Sequence, residues 1–178
     1  MSLALAVVFL HVLGVVVWIG GVMYQAHVLL PAARRGGATA FAEAAVRARP
    51  ATWTAVALVV LTGFYNVTQL GPLDRVMQSG AGLMLAAKFT LVILAVALAA
   101  QRDFAHVPLL RAALTGGGDP APPLRTIARL DRTILVLALV VIWLGLAVSR
   151  LGGPEMAPQT PPRSERPGGP VALLDIAV

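Results

Sequence analysis

A single lysine, Lys88, stands inside the apolar run GAGLMLAAKFTLVILAVALAA. An ammonium group in the middle of a bilayer-spanning helix costs roughly 2.5–3.5 kcal/mol on insertion scales, so such a residue normally has a partner and a task. A histidine, His11, sits at a comparable depth in another apolar run. His11 is eight residues beyond Leu3, or about 12 Å at the rise of an α-helix. Lys88 is seven residues beyond Ala81, or about 10 Å by the same rise. If both helices enter the bilayer from one side, the imidazole and the amine share a level.

Two nitrogen ligands on facing helices suit haem iron, and Met84, one turn before Lys88, adds a thioether. The same soft and borderline groups, His11 and Met84 with Met23, would also serve as way-stations for copper. Each residue has an ordinary alternative. Lys88 can pair with a carbonyl, with Asn66 or with Gln69, or extend outward to the interface. His11 can simply hydrogen-bond a neighbouring helix, and methionine is common apolar filler. His27 and His106 form a weaker second constellation near the opposite surface, for a metal or a second haem. Arg49 lies at the mouth of the second span, and Arg75 and Arg150 on the outer side could clamp haem propionates. Interfacial anchoring is the plainer reading for all three arginines.

The elements that must carry these groups follow from composition. Of 178 residues, 58% are hydrophobic and only 12% charged, with a mean hydropathy of +0.82. A soluble domain has about a quarter charged residues, so this chain cannot cover itself with polar surface. Crossing a hydrocarbon core of about 30 Å takes roughly 20 helical residues. Four segments are long enough, approximately 3–30, 51–70, 81–101 and 133–149. Lipid offers backbone groups no partner, so each must be a helix. The expectation is an all-α integral membrane protein, a four-transmembrane-helix bundle over residues 1–151. The Pro/Gly-rich tail 152–178 should be disordered alone, and could wrap a partner in a larger membrane complex. The first segment has no basic residue before its apolar run and exceeds a signal h-region in length, so it reads as a retained helix.

Nine arginines lie in the first and third loops (34, 35, 47, 49, 102, 111, 125, 129 and 132), and four in the second loop and tail (75, 150, 163 and 166). The positive-inside rule then puts both termini outside and loops one and three in the cytoplasm of an inner-membrane protein. It also accounts for the net charge of +6 without nucleic acid as a partner; the lipid bilayer is the partner. With no cysteine, disulfides, iron–sulfur clusters and thiolate sites are excluded. No acidic residue falls inside the four segments, and hydrolytic machinery is absent.

Small residues prepare the packing. On the first helix His11, Gly14, Trp18, Gly21 and Gln25 recur at spacings of three and four, one seam turned to the bundle. Thr62, Asn66 and Gln69 share a face of the second.

The stretches HVLGVVVWIGGVMY, ARPATWTAVALVVLTGFYNV and LAAKFTLVILAVALAAQRD, with the basic first loop, resemble the CopD-type copper-resistance membrane domain and its relative, the HemJ family of protoporphyrinogen oxidases. The resemblance runs over residues 5–150. Its HemJ side implies haem b at positions matching His11 and Lys88, an important arginine matching Arg49, and electron transfer or an oxidoreductase activity if the chain is an enzyme. Its CopD side implies copper passage across the inner membrane. The chain lacks the Met/His-rich external segments of an obvious copper-capture protein.

Overall fold

The structure, a computed structural model, describes residues 2–69 and 80–151, the side chains of 80, 81 and 148–151 excepted. Apart from a short turn, the described residues are helical.

Helix α1 (Leu3–Tyr24) is capped by Ser2, whose hydroxyl accepts from the Leu5 N–H at 3.4 Å. It continues into a π-helical turn, Gln25–Leu29, and a short piece, Leu30–Ala32. The run breaks within Ala33–Gly37, where Gly36 takes φ 111°. That left-handed value favours glycine, which has no Cβ to clash. Helix α2 (Ala38–Thr68) then returns along α1. The two approach closely because Gly14 has no side chain. A Cβ there would lie 2.9 Å from Val59 Cγ2 and 3.2 Å from the Ala55 carbonyl oxygen.

Helix α3 (Gly80–Gln101) passes through a second π-helical stretch, Arg102–His106, into α4 (Val107–Thr115). A turn with Gly117 at φ 70° follows. The Asp119 carboxylate accepts from the Ala121 N–H at 2.9 Å and so caps α5 (Ala121–Leu151).

Among the described residues, three helical runs are long and apolar enough to cross a membrane: Leu3–Thr68, which contains the α1–α2 hairpin, Gly82–Thr115 and Ala121–Ala147. Their outward faces are apolar. Leu61, Leu83 and Leu139 are about 70% exposed or more (70%, 79% and 68%), which suits acyl chains and not water.

The helices pack as α1 on α2, α3 on α5, and α1 on α5. The main neighbour of α3 is therefore α5, whereas the sequence expectation had α1 and α3 facing each other. One core lies between these helices, with Trp18, Val22, Ala55, Val56, Ala95, Ala99 and Ile134. A second core closes one end, where Leu30, Phe41, Ala45, Leu110, Leu124 and Ile127 pull α4 and the first turns of α5 against the start of α2. This second core extends two helices beyond their expected starts. The second span was expected to start at residue 51, but α2 runs from Ala38 through Pro50. Packing of Phe41, Ala42 and Ala45 outweighs the donor lost at the proline. Likewise α5 begins twelve residues before 133.

Candidate functional site

His11 projects from α1 onto α2. Its Nδ1 is 2.9 Å from Thr62 Oγ1, and the Thr62 hydroxyl donates its proton to the Leu58 carbonyl, 2.5 Å away. A threonine hydroxyl has one proton and two lone pairs. Because that proton is committed, Nδ1–H must be the donor to Thr62. The tautomer is fixed, and Nε2 keeps a free lone pair for a ligand. This is the usual arrangement of a metal-ligating histidine and the group that orients it. Gly63 supplies the space, since a Cβ there would come within 3.2 Å of His11 Cε1.

Lys88 projects from α3 toward α5, its Nζ 3.5 Å from where a Gly145 side chain would begin. Lys88 and His11 stand on helices that are not main neighbours. Among the described residues no hydrogen bond joins Lys88 to Gln69, whose Nε2 donates to the Thr68 hydroxyl at 3.4 Å. Met84 is half-buried one turn before Lys88, while Met23 is exposed on the outer face of α1. Arg75 lies outside the described residues, as does the side chain of Arg150, so the expected propionate clamp falls there too.

A second polar layer lies at the other end. Arg49 on α2 donates through Nη2 to the Asp103 carbonyl at 2.6 Å, and its guanidinium stands 5.0 Å from the centre of the Phe104 ring. Trp53 Nε1 donates to Asp103 Oδ2 at 3.1 Å. Arg102 Nε is 3.0 Å from Asp131 Oδ1, and Arg102 Nη1 is 3.4 Å from Asp103 Oδ1. Arg102 is 1% exposed, Asp103 3% and Asp131 0%. The Arg102–Asp131 contact is an ion pair whose N–H points off the hydrogen-bonding direction, leaving both Asp131 oxygens and Arg102 Nε without a hydrogen bond. The π-helical turn explains how Arg102 and its neighbour Asp103 both point inward. Its wider winding shifts the register that would separate adjacent residues on an α-helix.

Sequence reasoning missed this layer by placing Arg102 in the third loop and Asp131 at the cytoplasmic start of the fourth helix. A signal was present: Asp131 continues the stripe Leu124, Ile127, Ala128, Ile134 and Ala138, all buried. An acid on the apolar face of an amphipathic helix marks a buried charge.

The two layers are in register. His11 and Gln25 are fourteen residues apart, as are Lys88 and Arg102, Gly63 and Arg49, and Gly145 and Asp131. That separation is about 21 Å along a helix.

His27 is exposed and uses Nδ1 on the Met23 carbonyl at 3.0 Å, while His106 is half-buried after the second π-helical turn. No hydrogen bond joins them. Among the described residues, no three His, Cys, Asp or Glu side chains form a metal cluster.

Long helices with apolar outer faces and a polar interior define an integral membrane protein. The chain belongs to the copper resistance protein D (CopD) family, whose family model matches residues 42–148, more than half of its length. The match supports the CopD side of the resemblance and gives none to the HemJ side. It takes in Lys88, Met84, Arg49 and the whole inner layer, and begins after α1, so His11 lies outside it. No curated protein and no solved structure matched the chain.

Proposed function

We propose that this chain carries copper across an inner membrane, in four spans with both termini outside, and that His11 Nε2 is a ligand on the way. Membership of the copper resistance protein D family carries the reading. The donor set supports transient binding. One oriented imidazole and the half-buried Met84 thioether on another helix make a sparse donor set, and soft, sparse sites suit cuprous ion. A cargo must be held loosely enough to leave. Lys88 then acts as a positive neighbour that weakens cation binding at His11 and speeds release. The test is copper uptake by proteoliposomes. Wild type should load and His11→Ala and Met84→Leu should not; equal uptake by all three would refute the assignment.

One observation favours a second reading, in which haem b is held at His11 with Lys88 as second ligand or polar neighbour, for electron transfer. The Nε2 lone pair of an imidazole oriented by Thr62 fits one nitrogen ligand to iron, and Lys88, if neutral, would be the second. When bound, haem would supply one-electron chemistry, with His11 oriented by Thr62. An absorption spectrum of protein purified with ample haem decides: a Soret band lost in His11→Ala favours this reading, and its absence in wild type ends it. A third role, as a subunit gripping a partner through residues 152–178, is tested by co-purification that requires the tail.

A further inference from the structure

We propose that the Asp131–Arg102–Asp103 layer is a proton-binding site, with Asp131 as the group that takes the proton. Three observations support it. Asp131 is fully buried, and neither of its oxygens accepts a hydrogen bond. A structural ion pair would be built with donors on both oxygens; here the acid meets one off-axis guanidinium, which it shares with Asp103. Second, Gln25 Oε1 is buried without a partner. It comes from the π-helical turn that packs on α5, at the register of Asp131. An O–H on Asp131 would be a donor at the level of that unpartnered oxygen, where the buried donors Arg49 Nε and Arg102 Nε make no hydrogen bond either. Third, Trp18 Nε1, halfway between His11 and Gln25 on the same seam, is also buried and unpartnered. Unsatisfied polar atoms thus mark the interior from one layer toward the other, where bridging waters would be bound.

The charge balance is simple. Arg49 and Arg102 face Asp103 and Asp131, so the layer is neutral when both acids are ionised. Taking one proton forms an O–H bond on Asp131, removes its charge and leaves Arg102 paired with Asp103 at 3.4 Å. Of the other titratable groups on the adjoining elements, His106 is half-buried on the Arg102–His106 turn, whereas His27, Arg129, Arg132 and Arg111 are exposed. The proton comes from the aqueous phase at the end closed by α4 and returns there. Coupling of this step to copper movement rests on the transport reading; proton binding itself does not.

Infrared difference spectra of the reconstituted full chain, taken on a step to lower pH without copper, test the site. The expected result is a protonated-carboxyl C=O band that shifts in deuterium oxide, vanishes in Asp131→Asn and persists in Asp103→Asn. A band unchanged in Asp131→Asn, or no such band in wild type, overturns it. If Asp131→Asn does not reconstitute, wild type with 13C in its aspartate carboxyls must show the band moved by the isotope, and an unmoved band overturns it equally. If the carboxyl band is present but the proteoliposomes take up no copper, the transport reading fails and the proton site stands.

Discussion

Arg102 Nε and Asp131 Oδ1 face each other at 3.0 Å, both side chains almost wholly buried and brought from the end of α3 and the start of α5. Removing one member of a buried pair strands the other, at about 3–5 kcal/mol. Replacing both with apolar groups of similar size removes that cost. Arg102→Gln should therefore unfold early in a denaturant titration in mild detergent, while the double variant Arg102→Met/Asp131→Leu should recover most of the stability. Equal destabilisation by single and double variants would show that the pair has no such interdependence.

The α1–α2 hairpin makes a separate prediction. Gly14 leaves no room for a side chain against Val59 and the Ala55 carbonyl, and overpacking of this kind costs about 1–3 kcal/mol. Gly14→Val should lower the unfolding free energy by that amount, whereas Gly20→Val, with nothing within 4 Å, should leave it unchanged.

Thr62 matters through His11. Loss of the group that orients a ligating histidine typically costs 10–100-fold in metal affinity. Thr62→Val should weaken copper binding by about that factor, and Thr62→Ser, which keeps the hydroxyl, should restore it. Binding unchanged in Thr62→Val would mean that the Nδ1 contact only packs the two helices.

Lys88→Met separates the two metal readings. Next to a copper way-station it removes a repelling charge, so copper should bind more tightly and leave more slowly. Beside a haem it removes a ligand or a polar neighbour, so the Soret band should shift or shrink. Titration and an absorption spectrum on one preparation read both.

Much of this was legible before any coordinates. Composition alone required apolar helices. The seam His11, Gly14, Trp18, Gly21 and Gln25 did turn inward, with Gly14, Trp18 and Gln25 buried, because threefold and fourfold spacing is a property of the helix itself. What escaped was the π-helical winding at Arg102–His106, which no 3.6-residue pattern announces, and the core that draws residues 38–50 and 121–132 into helices. Hydropathy sets the edge of a membrane span but not where the helix starts, so Asp131 passed for a surface charge. The facing of α3 onto α5 depended on Gly145 opposite Lys88, a contact between distant segments that spacing within one helix cannot reveal.

The central claim is that His11 Nε2 binds copper, and cuprous-ion titration against a competing chelator addresses it most directly. Purified full-length chain in detergent should bind one ion with an affinity that falls at least tenfold in His11→Ala, a variant whose helicity should be unchanged. Identical binding curves for wild type and His11→Ala, or no binding by either, would contradict the account.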